Sequence, residues 1–399
     1  MRDKNSAFSQ KLSNISESMS IYMNQVVTNE RSKGRTITSL CVGDTFFKIP
    51  QINVSKEDFD RGCQYSDSRG LPELREKLSS YYEKYGVKTN PEKEILITAG
   101  SKAAIFFVFM SVLNDGDEVA IHEPLWVSYT EQAKLCGGKV RQIPFDTEIK
   151  DFTEYISDKT KILLINNPNN PAGRIYTKDE LNTLLAICRK NGIILMADEA
   201  YSDFLREGFC SVGSLSDSKD NIVIVNSLSK NFGLSGWRLG FVIASEAMIE
   251  NVLKLNQHII TCAPTSLQLY LCRNFDVIQA DVAKQISATL DKREAVSRFM
   301  DEAGLKRMSG EATYYFMVNI GDFKGTSIEF AYLLLLKHNI AVIPGEAYGD
   351  SVSRFVRVSL GPYPANVIID ALRVLAECTK AEFDREDLHG QIRTEGYNI

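Results

Sequence analysis

The sequence predicts a doubly wound α/β fold, with a mostly parallel sheet in a large domain and a smaller α+β domain formed from the N- and C-terminal parts. At 399 residues the chain is too long for one ordinary domain and short for three. From about residue 94 onward, apolar runs alternate with stretches of helical period, as in parallel sheets. Towards the C-terminus this alternation ends, and a mixture of strand and helix patterns follows.

The elements can be placed from hydrophobic periodicity. The apolar runs expected to form the strands of the large sheet are 94–100, 118–121, 161–166, 193–198 and 222–226. Helical period is clear over 178–190. The C-terminal part predicts strands over 314–320, 341–344 and 355–359, with helices over 327–338 and 365–380.

These patterns divide the chain into four segments. We expect residues 1–45 to form an N-terminal arm and part of the small domain, and residues 46–300 to form the large domain. Residues 301–383 would make the small C-terminal domain. The tail, 384–399, is polar and is expected to fray.

The composition favours small molecules as partners. A hydrophobic content of 44% and a charged content of 24% are typical of a globular protein. The formal net charge of -5 gives no electrostatic reason to bind nucleic acid or an anionic membrane. The longest strongly apolar run, 103–112, has about half the length that spans a bilayer. The first residues, 1–6, are polar and do not resemble a signal segment.

Cysteine and histidine usage argues against metal binding. The eight cysteines show no metal-like spacing and are expected to be reduced thiols, which favours a cytoplasmic location. The four histidines form no cluster in the sequence. His122 follows a predicted strand, and without a positioned partner we expect a packed or surface imidazole rather than a catalytic one. We therefore predict no metal site.

The most informative segment, 226–241, places a lysine at the end of an apolar strand. Lys230 follows the strand where the chain leaves the core, so its amine is partly removed from water and suited to imine formation. Ser227, Ser229 and Arg238 supply hydrogen-bond donors for a phosphate, Arg238 as a bidentate fork. The alternative is a solvated lysine beside a glycine-rich turn.

Two further polar clusters follow predicted strands, where the chemistry of open α/β sheets is concentrated. Gly100, Ser101 and Lys102 stand between a strand and a run of helix formers, so backbone N–H groups there could approach an anion. Tight strand-to-helix packing is the alternative. Asn170 lies in an Asn-Pro-rich turn that would aim its amide into the crevice, although plain turn chemistry also explains these residue types.

An acidic residue ends the strand 193–198. Asp198 follows four apolar residues and an alanine, and a carboxylate buried there is costly unless it meets a cation. We therefore expect a positive group to face Asp198. Tyr201 follows three residues later.

Together and in this order, these clusters resemble the class I/II aminotransferases of pyridoxal-phosphate fold type I, in particular those like aspartate aminotransferase. The resemblance extends from about residue 35 to 375. It implies that the large domain binds pyridoxal 5'-phosphate and that Lys230 forms the internal aldimine with it. Asp198 would pair with the protonated ring nitrogen, which deepens the electron sink. Lys230, once released, would move the proton between substrate and cofactor.

The resemblance also implies a full set of site residues. The catalytic residues would be Lys230, Asp198 and Tyr201. The cofactor would be held by Lys230, Gly100, Ser101, Lys102, Trp126, Asn170, Asp198, Tyr201, Ser227, Ser229, Arg238 and Tyr65. The substrate would be held by Arg357, Asn170, Gly43, Trp126 and Lys102. Tyr65 would reach the phosphate of a neighbouring subunit, which implies a homodimer with shared active sites.

Two segments depart from the family pattern. Gly43-Asp44-Thr45 stands where the family usually has Gly-Glu-Pro. The segment 311–315, Glu-Ala-Thr-Tyr-Tyr, stands where a Gly-Ala-Phe-Tyr-like sequence is usual, so Thr313 replaces a bulky ring. Both departures lie near the expected pocket for the substrate side chain.

The expected activity is transfer of an amino group between an amino acid and a 2-oxo acid by a ping-pong route. Lys102 matches the position at which one subgroup of the family binds the distal carboxylate of acidic substrates, so we expect aspartate or glutamate as donor; a solvated lysine is the alternative. Elimination at the β or γ carbon, with or without cyclisation, occurs in the same fold. A non-enzymatic ligand sensor is a further alternative, although no helix-turn-helix segment precedes the domain.

Overall fold

The computed structural model describes residues 9–51 and 54–397. The strands in these ranges are β1 (Thr38–Ser39), β2 (Ile95–Thr98), β3 (Glu118–His122), β4 (Lys139–Ile143), β5 (Thr160–Asn166), β6 (Ile194–Asp198), β7 (Ile222–Ser227), β8 (Gly240–Ala244), β9 (Tyr315–Asn319), β10 (Ile340–Ala341), β11 (Ile343–Pro344) and β12 (Phe355–Ser359). The α-helices are α1 (Met19–Ser32), α2 (Lys56–Gly62), α3 (Pro72–Glu83), α4 (Ser101–Val112), α5 (Ser128–Leu135), α6 (Lys178–Asn191), α7 (Leu228–Asn231), α8 (Glu246–Ile259), α9 (Thr265–Glu302), α10 (Ser327–His338), α11 (Ala365–Cys378) and α12 (Arg385–Thr394).

The large sheet confirms the predicted α/β fold class. Its seven strands lie in the order β2-β8-β7-β6-β5-β3-β4, and all neighbours are parallel except those of β8. Each of the five predicted strands is present. Every residue of β7 is buried, because helices cover both faces of the sheet, and this burial explains why its sequence is continuously apolar.

Two strands of this sheet were not predicted. β4 lies at the edge and is half exposed, so its sequence contains no apolar run. β8 lies between β2 and β7 and runs antiparallel to both. A Cβ atom on Gly240 of β8 would lie 2.5 Å from the backbone nitrogen of Ser101, so a glycine is needed there. This close approach brings the start of α4 beside the end of β7.

Two smaller sheets belong to the C-terminal part. β11, β12 and β9 form an antiparallel sheet in that order. β1, from the N-terminal segment, pairs with β10. This pairing agrees with the expectation that part of residues 1–45 belongs to the small domain. The boundary expected at residue 300 falls within the last turn of α9, and the division into domains stays a prediction.

The C-terminal tail differs from the expectation of fraying. Asp384 caps α12 by accepting a hydrogen bond from the backbone nitrogen of Asp387. Leu388 and Ile392, one helical turn apart, are only 1% and 0% exposed. The Tyr397 hydroxyl donates to the buried carboxylate of Glu30 at 2.6 Å. These contacts hold the tail, whose last two residues, 398–399, lie outside the described part.

Three further expectations concern membranes, metals and histidine. Within the described ranges, no helix has both the length and the apolar character needed to cross a membrane. The same ranges contain no group of three or more His, Cys, Asp or Glu side chains that could hold a metal ion. His122 is 3% exposed and its Nδ1 atom lies 2.5 Å from the Tyr176 hydroxyl, so it is a packed imidazole. Residues 1–6, which the sequence shows to be polar, lie outside the described part.

Candidate active site

The carboxyl ends of the parallel strands border a cavity of about 610 Å³. It is also lined by β9 and β12 of the small sheet and by the start of α1. Many of the site residues expected from the sequence line this cavity, namely Gly43, Ser101, Lys102, Trp126, Asn170, Asp198, Tyr201, Ser227, Ser229, Lys230, Arg238 and Arg357. Residues from across the chain therefore meet at one place.

Lys230 lies in the short helix α7, directly after β7. The Ser227 hydroxyl oxygen caps this helix by accepting from the backbone nitrogen of Ser229 at 3.1 Å. The Lys230 amine donates to the Gly43 carbonyl oxygen at 2.6 Å. Lys230 lines the cavity and is half-buried.

An anion cradle lies beside the lysine. Gly100 caps α4 with φ of 82°, and a Cβ atom there would lie 2.5 Å from an Arg238 nitrogen, so only glycine leaves room for the guanidinium. Arg238 donates one hydrogen bond to the Ser235 carbonyl oxygen, at 2.9 Å. The Ser227 and Ser229 hydroxyls are 2.8 Å apart at the same wall. Together with the N-terminus of α4, these donors fit a phosphate group.

Asp198 is held by hydrogen bonds. Its carboxylate accepts from the Tyr129 hydroxyl at 2.7 Å and from the Ala200 backbone nitrogen at 3.1 Å. Burial raises the pKa of Asp198 to about 6. No Lys, Arg or His in the described ranges forms an ion pair with Asp198. The positive group expected to face this carboxylate is therefore not one of the described side chains. A protonated ring nitrogen of a cofactor would fit this carboxylate.

Tyr129 was missed as a site residue. It lies one helical turn from Trp126, and this spacing could have placed both side chains on the same side of the chain. Its contact with Asp198 spans 69 positions of sequence, however, and no local pattern specifies it.

Asn170 and Tyr201 form a second polar wall. The Asn170 amide donates to the Tyr201 hydroxyl oxygen at 3.4 Å, and its own side-chain oxygen is buried with no partner in the described ranges. Burial raises the pKa of Tyr201 well above its ordinary value, so the phenol keeps its proton and can donate it. These groups fit a polar ligand such as the ring oxygen of the cofactor.

Trp126 and Lys102 border the outer side of the cavity. The Lys102 amine lies 5.1 Å from the centre of the Trp126 ring. Lys102 is exposed, but partial loss of hydration and the nearby Arg238 charge lower its pKa, and no ion pair joins it to a carboxylate in the described ranges. A bound anionic substrate group would offset both the loss of hydration and the repulsion from Arg238.

Arg357 also lines the cavity. It is 3% exposed, and it donates to the Cys41 carbonyl oxygen at 2.8 Å. Its Nε atom has no partner in the described ranges, and its guanidinium carbon lies 4.6 Å from the centre of the Tyr315 ring. No described carboxylate pairs with this buried cation, so it suits the carboxylate of a ligand. Gly43 lies beside it, because a Cβ atom there would be 3.7 Å from an Arg357 nitrogen.

Tyr65 lies outside this cavity. Its side chain is 85% exposed and is not among the residues that line the cavity of its own chain. The cavity is also lined by Tyr315 and by Ser18, Ser20, Ile21 and Asn24. No pattern in the sequence indicates a site role for these five residues, because the N-terminal segment carries no motif and Tyr315 lies in a predicted buried strand.

Comparisons with known proteins agree with this geometry. The family model for aminotransferase class I and II matches residues 35–369. An aspartate aminotransferase of Pyrococcus abyssi is 32% identical over 82% of this chain and 87% of its own length. An aromatic-amino-acid aminotransferase of Thermococcus litoralis is 30% identical over 81% of this chain and 87% of its own length.

A solved structure is similar throughout. The aspartate aminotransferase of Thermus thermophilus, with maleate, superposes with a TM-score of 0.84 at 25% identity, covering 95% of this chain and 100% of its own. The relatives and the solved structure are themselves named as aminotransferases, which supports an enzyme over the alternative of a ligand sensor. The chain therefore belongs to the class I and II aminotransferase family and is an enzyme, a transaminase.

Proposed function

We propose that this protein uses pyridoxal 5'-phosphate to move an amino group from aspartate or glutamate to a 2-oxo acid by a ping-pong route. The observation that carries the proposal is the convergence of Lys230, Asp198 and Arg357 on one cavity. Family membership supports the cofactor, since the anion cradle and the buried carboxylate both fit it.

Each of these residues has a distinct task. Lys230 attaches the cofactor and afterwards acts as the base that moves a proton at the substrate carbon. Asp198 keeps the ring nitrogen of the cofactor protonated, and Tyr129 holds the Asp198 carboxylate in place. The bound cofactor supplies an electron sink for the carbanion that the reaction forms. Arg357 binds the α-carboxylate of the substrate as a bidentate fork.

Lys102 supports an acidic donor. Its amine lies beside Trp126 in the cavity that Arg357 also lines, and neither Lys102 nor Arg357 forms an ion pair with a carboxylate in the described ranges. Two cations lining one cavity suit a dicarboxylic substrate. Aspartate aminotransferases among the relatives agree with this proposal, whereas the aromatic-amino-acid enzyme shows that similar chains take other donors.

Replacing Lys102 by glutamine tests the donor. We expect the KM for aspartate or glutamate to rise about ten- to a hundredfold, as the loss of a charge-assisted hydrogen bond predicts. Neutral amino acids should change little. Steady-state kinetics with a panel of donors measures this, and Lys139→Gln, which removes an exposed charge on β4, is the control. An equal rise in KM for acidic and neutral donors would show that Lys102 contributes to cofactor binding or to the fold instead of to donor recognition.

We further propose a homodimer in which Tyr65 serves the partner's active site. The side chain is 85% exposed and lies away from its own cavity, as a residue acting across an interface requires. Isologous contacts are the common way to share such sites. We also propose a cytoplasmic location, which the cysteine usage favours.

Hybrid dimers test the sharing. Tyr65→Phe alone should weaken phosphate binding about tenfold or more, through loss of a charge-assisted hydrogen bond. A hybrid of one Tyr65→Phe subunit and one Lys230→Ala subunit should contain one fully intact site and recover about half of the activity of the unaltered dimer. Differently tagged subunits allow the hybrid to be purified and assayed. A fully active monomer in sedimentation, or a hybrid whose functional site binds the cofactor as weakly as the Tyr65→Phe dimer does, would contradict the proposal.

A further inference from the structure

We propose that Tyr315 is a positioning residue: its hydroxyl donates to Tyr201 and so directs the Tyr201 proton towards the cofactor. This inference rests on the proposed function, since it concerns the protein loaded with pyridoxal phosphate. Tyr315 lies in the segment 311–315 that departs from the family pattern.

The position of Tyr315 joins two parts of the site. It is the first residue of β9, it is fully buried, and it lines the cavity. Its hydroxyl lies 3.1 Å from the Tyr201 hydroxyl and 3.2 Å from the Gly43 carbonyl oxygen. Its ring faces the Arg357 guanidinium at 4.6 Å. Tyr315 therefore touches both the carboxylate-binding arginine and the tyrosine on the cofactor side.

The direction of the hydrogen bond follows from the available acceptors. Once Lys230 is attached to the cofactor, the Gly43 oxygen still accepts from Tyr314 at 3.3 Å. The Tyr201 oxygen, at 3.1 Å, is then the nearer of the two acceptors that the Tyr315 hydroxyl reaches, since the Gly43 oxygen lies at 3.2 Å. Tyr201 faces the cavity, where the charged ring oxygen of a cofactor is a stronger acceptor than a neutral phenol. Tyr201 then gives its proton to the cavity, and its own oxygen accepts from Tyr315.

This arrangement has a measurable consequence. A phenol that accepts a hydrogen bond becomes a better donor, because hydrogen bonds in a chain polarise one another. A better donor draws negative charge away from the ring oxygen of the cofactor. The ring oxygen then holds the proton on the neighbouring Lys230 nitrogen less tightly. The bound cofactor should therefore lose that proton at a lower pH than it would without Tyr315. The charged and titratable groups facing the pair are Tyr314, Arg357 and Lys230.

Spectrophotometric titration of the full chain loaded with pyridoxal phosphate tests the proposal. Tyr315→Phe keeps the ring and should move the midpoint of the visible absorption change upward by about half to one pH unit. In a Tyr201→Phe background the same substitution should cause no further shift, because Tyr315 acts through Tyr201. Tyr201→Phe alone should shift the midpoint at least as far.

Tyr348→Phe is the matched control. Tyr348 is also fully buried and also faces Arg357, at 5.5 Å, but its hydroxyl makes no hydrogen bond with Tyr201. Its removal should leave the midpoint unchanged. An unshifted midpoint in Tyr315→Phe, or an equal shift with and without Tyr201, would overturn the inference. Failure of the unaltered protein to bind pyridoxal phosphate would instead overturn the proposed function.

Discussion

Replacing Lys230 by alanine is expected to abolish both transamination and the visible absorption band of the bound cofactor. Lys230 is the lysine whose amine reaches the cavity wall at Gly43, 2.6 Å away. Its loss removes the covalent attachment and the base that moves the proton. A positioned base alone contributes up to about 10⁴-fold, so we expect activity to fall by at least that factor.

Absorption spectra and borohydride reduction measure this effect directly. Reduction should trap the cofactor on the unaltered protein and not on Lys230→Ala, as mass spectrometry of the peptide over 226–241 can show. Lys48→Ala, which changes an exposed lysine outside the cavity lining, is the control and should keep the band. An unchanged, reducible band in Lys230→Ala would remove Lys230 from its assigned role.

Replacing Asp198 by asparagine is expected to leave cofactor binding largely intact and to slow turnover by about a hundredfold or more. The buried carboxylate is the group that would stabilise a positive charge on the ring nitrogen. A neutral amide of the same size cannot do so, and the electron sink becomes shallower. The anion cradle around Arg238 does not involve Asp198, so the phosphate should still bind.

Single-turnover kinetics and cofactor titration separate these two effects. Because Asp198 accepts from Tyr129, the substitution also disturbs that hydrogen bond. Tyr129→Phe removes the hydrogen bond while keeping the carboxylate, and we expect it to cost about tenfold or less, the size of one ordinary hydrogen bond. Near-normal turnover in Asp198→Asn would contradict the role of Asp198, as would an equally large loss in Tyr129→Phe.

The fold class, and the places of several candidate site residues at strand ends, could be predicted from the residue pattern alone. The apolar run before Lys230 predicts a strand, and the position of the lysine after that run places it at the carboxyl edge of the sheet. The same logic located Asp198 and Asn170. These predictions succeeded because hydrophobic periodicity is local, and because parallel strands bring all their carboxyl ends to one edge.

Which side chains meet depends on the packing of distant parts of the chain. Tyr315 and Tyr201 are 114 positions apart, and Tyr129 reaches Asp198 across 69. The antiparallel course of β8 and the docking of α12 near Glu30 depend on similar long-range contacts. A local pattern reports how a segment buries its own apolar face, whereas a hydrogen bond between distant residues depends on the packing of the whole chain. For this reason the position of Lys230 at the end of a strand could be predicted from the sequence, and the contact between Tyr315 and Tyr201 could not.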